Sequence, residues 1–468
     1  MYNKGFGSRR SSLPKLTALF LSALPLCAQA ATWYATNDGS DGATCGHSRD
    51  HACRSISQAM QNAADGDVIW VGAGRYGDLN GNGSFTDPGD EHALDYGNGT
   101  SCVLCITKAL SLYSYNGTAA TIIEGNSNFN ATVQVLSDRV VFGSRDHGFT
   151  VTGGPVGVEI NYDTVGFPQG GGNGTSLQHG ISVVGNIAIK TPVGFEVDGE
   201  PYKVSPGCPP EAPCAPTGRV LLSGNTTVGG DTGFLVNNMS NHFSEIAVQN
   251  NQASGATTGF GTFADFTGVE GNVVLGSSAE HVHLLHNEAS AGGVGFAAAF
   301  VGSLQNNVAS GNSVAGFIVV PGGLPPTIFT GNVATGNGGP GVVVSFDDPA
   351  NMQAGFKSFA GNDFYGNDRR RPASMTIGYP ADPTDAYKPG PGAHCGVLNI
   401  GALAAVPPLS SPLPALTLLA SDNYWGSSSG PKPNGAGDAA GGPCDQNSGV
   451  TVSKPFSTSW FSFVPLPQ

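Results

Sequence analysis

The chain has 468 residues, of which 70 are glycine and 12% are charged, and its formal net charge is −14. Acidic residues outnumber basic ones 34 to 20, so the sequence provides no basic surface to neutralise phosphates. Nucleic acid is therefore excluded as the expected partner. Beyond residue 30, no stretch approaches the roughly 20 apolar residues that a transmembrane helix needs.

Residues 1–30 have the pattern of a Sec-type signal peptide. An apolar stretch at residues 16–26 is followed by the small-residue cleavage pattern Ala-Gln-Ala at residues 28–30. The basic residues before it are Lys4, Arg9, Arg10 and Lys15. We expect a secreted or periplasmic protein that starts at about Ala31. Removal of those residues leaves 16 basic against 34 acidic side chains, a net charge of −18, which repels polyanionic glycans unless a cation intervenes.

Residues 31–76 are predicted to form an N-terminal cap and a first coil. Short strands are expected at residues 33–35 and 68–71, and apolar residues at helical spacing lie between them. These apolar residues are Ile56, Ala59, Met60 and Ala63. A short amphipathic helix laid over the end of a stack of strands protects the exposed sheet edge.

Residues 78–91 contain the best candidate for a calcium site. Oxygen-bearing side chains alternate along this segment, and Gly83 occupies the sixth position, where a calcium loop turns sharply. The candidate ligands are Asp78, Asn80, Asn82, Ser84, Asp87 and Asp90. The segment departs from the EF-hand pattern at the twelfth position, which is Gly89 rather than Glu. A polar turn without an ion is the alternative.

Eight cysteines follow residue 30, and an even number in an exported chain favours disulfides. Their spacing suggests the pairs 45–53, 102–105, 208–214 and 395–444. Cys102 and Cys105 also fit a redox pair or half of a zinc site, although no second such motif supports that alternative.

Residues 219–346 contain the clearest internal repeat. Five copies begin at an asparagine and reach a glycine 8 or 9 residues later, and in four of them the next residue is phenylalanine. The asparagines are Asn225, Asn251, Asn287, Asn307 and Asn332. The short apolar runs between these marks lack a helical period and are typical of strands separated by turns.

Steps of 20 to 36 residues between these asparagines match one turn of a single-stranded right-handed parallel β-helix with inserted loops. We predict an all-β fold in one domain over residues 31–468. The asparagines are expected to form a hydrogen-bonded ladder at a left-handed corner, the glycines a second corner, and the phenylalanines a column inside. A β-sandwich or barrel with glycine-rich turns is the alternative.

Two clusters of titratable residues are weak catalytic candidates. Glu245 and His281 each precede a repeat asparagine by six residues, so they are expected to stack on the outer face, with His283 pointing the same way. Such a group would bind a transition metal or relay protons. The second cluster comprises Asp347, Asp348, Asp363, Arg369 and Arg370. Solvated histidines and a self-neutralising loop are the respective alternatives.

Residues 33–76, together with residues 422–431 and 452–456, resemble the first and last coils of the pectate-lyase-like right-handed β-helix superfamily. The resemblance implies the fold but not one activity, because the superfamily includes lyases, hydrolases, epimerases and proteins without known chemistry. Lyase chemistry of the superfamily would imply an acidic calcium site with an arginine beside it, as in the second cluster. Residues 372–421 are rich in proline and are expected to leave the solenoid as a long excursion, whereas residues 422–468 form the last coil and tail.

The leading functional hypothesis is a monomeric, secreted protein that associates with an extended polysaccharide, as a lyase or glycoside hydrolase if it is catalytic. The alternative is a non-catalytic adhesion or structural solenoid. An acidic cluster converging on one groove would favour the first, and a smooth face of Ser, Thr and Asn would favour the second.

Overall fold

A computed structural model describes residues 30–95, 101–161, 180–198, 219–237, 245–262, 282–299, 301–321, 326–346, 355–369, 393–402, 418–444 and 450–451. Several of the predicted features lie outside the described residues. They are the predicted signal peptide, most of the proline-rich segment, Cys208, Cys214, His281, Asp347, Asp348 and Arg370.

The described residues form 34 strands, one α-helix and two short 3-10 turns, at Arg49–His51 and Gly442–Cys444. In chain order the elements are β1 (Thr32–Ala35), α1 (Ile56–Asn62), β2 (Val68–Val71), β3 (Gly74–Tyr76), β4 (Leu94–Asp95), β5 (Ser101–Ile106), β6 (Ser111–Ser114), β7 (Thr121–Glu124), β8 (Ala131–Val135), β9 (Val141–Phe142), β10 (Thr150–Thr152), β11 (Val156–Asn161), β12 (Ile181–Val184), β13 (Ile187–Ile189), β14 (Val193–Asp198), β15 (Arg219–Ser223), β16 (Thr226–Val228) and β17 (Thr232–Asn237). They continue with β18 (Glu245–Gln249), β19 (Gln252–Ser254), β20 (Thr258–Thr262), β21 (Val282–Leu285), β22 (Glu288–Ser290), β23 (Val294–Ala299), β24 (Ser303–Gln305), β25 (Val308–Ser310), β26 (Ala315–Val320), β27 (Thr327–Thr330), β28 (Val333–Thr335), β29 (Val342–Phe346), β30 (Phe356–Ala360), β31 (Asp363–Tyr365), β32 (Val397–Ala402), β33 (Leu418–Leu419) and β34 (Val450–Thr451).

Three long sheets run the length of this stack. Sheet A contains 11 strands from β1 to β30, sheet B contains 10 strands from β3 to β31, and sheet C contains 11 strands from β4 to β32. Within the described residues every pairing in these sheets is parallel except that of β4 with β5. Successive strands such as β15, β16 and β17 enter sheets A, B and C in turn, so one coil adds one strand to each sheet. The predicted parallel β-helix is confirmed.

A ladder of buried asparagines joins the coils at the corner between sheets A and B. From Asn225 onward, each side-chain Oδ1 accepts hydrogen bonds from the backbone N–H and the Nδ2 of the asparagine one coil earlier, as Asn251 does for Asn225 at 2.9 and 3.2 Å. The ladder is longer than the predicted repeat and contains Asn186, Asn225, Asn251, Asn287, Asn307, Asn332, Asn362 and Asn423. The left-handed residue of the corner is the one before each asparagine, such as Asn250 with φ 55°. The asparagine side chain therefore makes the hydrogen bonds of the ladder, and the preceding residue adopts the left-handed conformation that turns the chain.

A phenylalanine column fills the inside of sheet C, as predicted. Phe195, Phe234, Phe260, Phe296 and Phe317 stack in neighbouring coils with ring centroids 4.7–5.1 Å apart. Their rings are almost fully buried. Stacked burial of this kind gives each coil the same apolar content and fixes the register of the coils.

The prediction that the glycine before each phenylalanine makes a second corner is wrong. Gly233, Gly259, Gly295 and Gly316 lie within strands of sheet C and have no left-handed φ. They are required for close packing, because a Cβ on Gly295 would lie 2.5 Å from the carbonyl oxygen of Gly316 and 2.9 Å from the Cβ of Ala309. The second corner follows sheet B, where the left-handed residues are Lys190, Gly229, Gly255, Ala291, Gly311, Gly336 and Gly366.

Replacement of a packed glycine tests this reassignment. We expect Gly295→Ala to lower the free energy of unfolding by about 1–3 kcal/mol, because the added methyl group has no space. Urea unfolding followed by circular dichroism measures the change. Gly42→Ala is the matched control, since a Cβ at Gly42 meets no atom within 4 Å and should change stability by less than about 0.5 kcal/mol. Equal stability of the two variants would contradict the packing role.

The N-terminal end is closed by α1, as predicted from its apolar spacing. Ile56, Ala59 and Met60 are buried against the first coil, and the Ser55 side chain caps the helix by accepting the N–H of Gln58 at 3.1 Å. At the other end, Asn423 completes the ladder and Trp425 is fully buried with its ring 5.2 Å from that of Phe364. These residues belong to the two segments that carry the family resemblance.

Disulfides join Cys45 to Cys53, Cys102 to Cys105 and Cys395 to Cys444, which confirms three of the suggested pairs. The first bridge lies within the N-terminal cap, and the second lies within β5. The third ties residues 393–396 to Cys444, and β32 follows it as the last strand of sheet C. The described part of the proline-rich segment thus includes one strand of the solenoid. Within the described ranges, no helix has the length and hydropathy needed to span a membrane.

Candidate functional site

The predicted calcium ligands lie in one loop after β3. The Asp87 Oδ2 accepts the side-chain amides of Asn80 and Asn82, both at 2.7 Å. The Asp78 carboxylate accepts the N–H groups of Gly81 and Gly83 at 2.8 and 2.6 Å and so shapes the turn. Two of the six residues, Asn80 and Asn82, therefore converge on one carboxylate oxygen of a third, Asp87, at the protein surface.

Asp90 and its neighbour Glu91 face inward and hold the loop to the cap. Asp90 accepts the N–H groups of Leu79 and Asp87 at 2.9 and 3.2 Å. Glu91 is fully buried and accepts the first N–H groups of α1, from Ile56 at 2.8 Å and Ser57 at 2.7 Å. Burial raises the pKa of Glu91 to about 7, and these hydrogen bonds oppose the shift. No sequence pattern indicates this helix cap, which joins Glu91 to residues 35 and 34 positions earlier.

The first catalytic candidates share the outer face of sheet A. Glu245 forms an ion pair with Arg219 at 3.1 Å, and His283 lies opposite Ala247 in the next coil. The register expected between these coils is confirmed, because Asn251 bonds Asn287. The His283 Nδ1 lies 2.9 Å from the hydroxyl oxygen of Ser303, its partner on the next strand of sheet A, so the imidazole makes a polar contact within the sheet.

The second predicted cluster is described only in part. Asp363 is buried at the start of β31, and Arg369 is exposed beyond its end. The neighbouring Asp368 accepts the N–H of Cys395 at 3.2 Å and so supports the last coils. A role for these residues in catalysis stays a prediction.

A different acidic cluster lies on the outer face of sheet C, and the sequence analysis missed it. Glu159 on β11 pairs in register with Glu196 on β14, and two residues further along the same strands Asn161 pairs with Asp198. Residues that alternate with them, including Phe195 and Val197, point into the core, so these polar side chains share the opposite face. Paired residues of adjacent strands lie about 4.8 Å apart.

Amide groups surround one carboxylate of this cluster. Glu159 accepts the Gln134 Nε2 at 2.7 Å on one oxygen and the Asn161 Nδ2 at 2.8 Å on the other. Gln134 is fully buried, and its Oε1 is an acceptor without a hydrogen-bond partner among the described residues. This amide oxygen is therefore an unused hydrogen-bond acceptor beneath the surface, beside the carboxylate of Glu159.

The environment separates the two glutamates in acidity. Burial and the adjacent carboxylates of Glu159 and Asp198 raise the pKa of Glu196 to about 8. Burial also raises the pKa of Glu159, but its hydrogen bonds from Asn161 and Gln134 favour the charged form. The amide hydrogen bonds therefore stabilise the ionised form of Glu159, whereas burial and two neighbouring carboxylates favour the protonated form of Glu196. The two carboxyl groups on adjacent coils thus have different surroundings, as the acid and base of a catalytic pair require.

The cluster was missed because its residues are 37 positions apart and belong to coils that precede the clearest repeat. The strand sequences contain a signal in retrospect. Val-Gly-Val-Glu-Ile-Asn at 156–161 and Val-Gly-Phe-Glu-Val-Asp at 193–198 repeat the same alternation, with glutamate at the same position. The glycines align in the structure, where a Cβ on Gly157 would lie 2.6 Å from the carbonyl oxygen of Gly194.

In the described part of the chain, metal-ligand geometry gives no second candidate. Among the described residues, the only close group of three ligand atoms from His, Cys, Asp or Glu is that of Asp41, Cys45 and Cys53. Both of these cysteines are joined in a disulfide, so they have no thiolate to offer.

The fold and this site define a parallel β-helix with a carboxylate pair on the outer face of one sheet. No family model matches the chain, and no curated protein matches it. The class of fold consequently comes from the structure, and the likeness to the pectate-lyase-like superfamily remains a resemblance of the two ends of the chain.

Proposed function

We propose that the protein is an exported glycoside hydrolase that acts on an extended, neutral polysaccharide through Glu159 and Glu196. The observation that carries the proposal is the in-register pairing of these two glutamates on the outer face of sheet C, where two amides hold the Glu159 carboxylate. Glycosidases generally need one carboxylic acid and one carboxylate across the scissile bond. A long sheet face is suited to an extended chain.

In this proposal Glu196, as the acid, protonates the glycosidic oxygen, and the carboxylate of Glu159 attacks the anomeric carbon to form a glycosyl ester. The ionised Glu196 then removes a proton from water, which hydrolyses the ester and restores both groups. Adjacent coils about 4.8 Å apart suit a double displacement, because retaining enzymes hold their carboxyl groups about 5 Å apart. The amides of Gln134 and Asn161 position Glu159.

Charge favours a hydrolase over a lyase. Elimination from a uronate needs a base beside a cation that stabilises the developing charge. The charged groups that shift the pKa values of Glu159 and Glu196 are all carboxylates, and the whole chain carries a net charge of −14. A polyuronate would meet repulsion at this site.

The test is incubation of the purified protein with separate neutral and uronate polysaccharides, following reducing ends and ultraviolet absorbance together. We expect new reducing ends from at least one neutral polysaccharide without new absorbance. Absorbance from unsaturated ends on a uronate would identify a lyase instead. The absence of both signals from every substrate would contradict a catalytic function.

Calcium is the proposed ion of the loop after β3, because carboxylate and amide oxygens are the ligands it prefers. Asp78, Asn80, Asn82 and Asp87 are accessible at the surface for this role, whereas Asp90 is only 1% exposed. We expect 1 mM free calcium, estimated as about 100 times a Kd near 10⁻⁵ M, to stabilise the protein by about 2.7 kcal/mol and raise its melting temperature. Asp87→Asn should abolish that response, and an equal rise in this variant would contradict the assignment.

A structural or adhesive solenoid is the second candidate, and the outer face of sheet B favours it. One position along this face contains Val228, Ser254, Ser290, Ser310 and Thr335 in register. None of these five residues is titratable, and four of them provide hydroxyls for many weak contacts. It becomes the leading proposal if the polysaccharide assay is negative.

A further inference from the structure

Aromatic side chains are concentrated on the outer face of sheet A in the first three coils. Tyr34, Trp70 and Tyr113 are paired in register on β1, β2 and β6. All three are partly exposed, and their strand neighbours Trp33, Ile69 and Leu112 are buried in the core. Tyr115 lies just beyond β6 and is 48% exposed. We call Tyr34, Trp70, Tyr113 and Tyr115 the aromatic strip.

The same outward position is not aromatic in the later coils that the structure describes. It is occupied by Val184, Ser223, Gln249, Leu285, Gln305, Thr330 and Ala360 on successive strands of sheet A from β12 onward. Packing of the β-helix therefore does not require a ring here. Large exposed aromatic groups that cluster without a core to fill are typical of binding surfaces.

Contacts within the strip hold the rings in place. The Trp70 ring centroid lies 5.2 Å from that of Tyr113, 5.8 Å from that of Tyr115 and 5.1 Å from that of His147. The His147 Nδ1 lies 3.0 Å from the Ser114 carbonyl oxygen, which fixes the imidazole edge against the indole. The guanidinium of Arg49 stands 3.8 Å from the centre of the Tyr115 ring. A ligand would meet rings that are already ordered, so little entropy is lost on binding.

We propose that the aromatic strip binds a neutral glycan chain, with sugar rings stacked on Trp70, Tyr113 and Tyr34. Pyranose rings present an apolar C–H face and a rim of hydroxyl groups. Tyrosine and tryptophan match both parts, because each combines an apolar ring with a polar group. Rings spaced by one coil, about 4.8 Å, repeat on the scale of successive sugars in an extended chain.

Charge selects the neutral chain over an anionic one. The protein has 34 acidic and 20 basic residues, which disfavours an extended polyanion. Arg49, the cation in contact with the strip, already stacks on Tyr115 and lies 5.8 Å from the centre of the Tyr34 ring. The strip lies on sheet A and the glutamate pair on sheet C, so this surface holds a polysaccharide independently of the proposed catalytic pair.

The test is affinity electrophoresis of the full chain in gels that contain soluble xylan, mixed-linkage β-glucan, galactomannan or polygalacturonate. We expect at least one neutral glycan to retard the protein, and polygalacturonate to leave it unretarded. Trp70→Ala should weaken the apparent affinity at least tenfold. Tyr115→Ala should weaken it as well, and this exposed residue outside the strand provides a variant that folds if Trp70→Ala does not.

Tyr365→Ala is the matched control, because Tyr365 is a partly exposed aromatic residue on sheet B that contacts the ring of Tyr424. It should retain full retardation. The proposal would be overturned if no neutral glycan retarded the protein. It would also be overturned if the Trp70→Ala and Tyr115→Ala variants were retarded as strongly as the wild type. A change from dimer to monomer in Trp70→Ala, measured by light scattering, would also overturn it and assign the strip to self-association. Retardation requires binding but no turnover. A protein that is retarded by a neutral glycan but hydrolyses none would contradict the proposed hydrolase activity and support glycan binding by the aromatic strip.

Discussion

Glu196→Gln is expected to reduce hydrolysis by about 10²–10⁴-fold, the range that a general acid–base group contributes. The amide cannot protonate the leaving oxygen, although its size and register are unchanged. In the wild-type protein, activity should fall as the pH rises through about 8, because Glu196 then loses its proton. Initial rates between pH 4 and 10 measure both effects.

Glu159→Gln should be at least as inactive, since it removes the attacking carboxylate. The matched control is Glu288→Gln, which alters a partly exposed glutamate on the outer face of sheet B and should leave the rate unchanged. A wild-type rate and pH profile in Glu196→Gln, together with loss of activity in Glu288→Gln, would contradict the assignment of the catalytic pair to sheet C.

Stability supplies a second readout for Glu196→Gln. The folded-state pKa is raised from 4.5 to about 8, so the native state binds more protons than the unfolded state between these values. Stability from this group is therefore present at low pH and lost as the pH rises toward 8. We expect Glu196→Gln to melt at a higher temperature than the wild type at pH 9, with little difference at pH 4. A variant that melts lower at pH 9 would contradict the raised pKa.

Asn251→Ala is expected to lower the free energy of unfolding by about 4 kcal/mol, because it removes four buried hydrogen bonds worth about 1 kcal/mol each. The side chain accepts two from Asn225 and donates to the carbonyl of Leu222 at 2.9 Å and to the Asn287 Oδ1 at 3.1 Å. Urea unfolding measures the loss.

The adjacent Asn250 gives a matched control for the ladder. It is exposed and adopts φ 55°, a conformation that glycine accepts without strain. Asn250→Gly should therefore change stability by less than about 0.5 kcal/mol. If the two neighbouring substitutions cost the same, the ladder would not be a main source of stability in the β-helix.

The repeat alone determined the architecture of this protein. Asparagine, glycine and phenylalanine at fixed offsets predicted coils, a ladder and an aromatic column, because stacked coils bring equivalent positions into contact. The helix α1 followed from the spacing of its apolar residues, and three disulfides followed from the spacing of the cysteines. These features depend on local periodicity, which a sequence displays directly.

Tertiary structure decided which polar residues meet. Glu159 and Glu196 are adjacent because their coils stack in register although 37 positions separate them, and the repeated strand pattern does not by itself show which coils pair. The role of the repeat glycines also needed coordinates, since a corner and a close backbone contact both favour glycine. Likewise Tyr34, Trp70 and Tyr113 are scattered over 79 positions, and only the pairing of β1, β2 and β6 makes them one surface. Local periodicity therefore determined the coil, whereas the register between coils determined which polar and aromatic side chains share its faces.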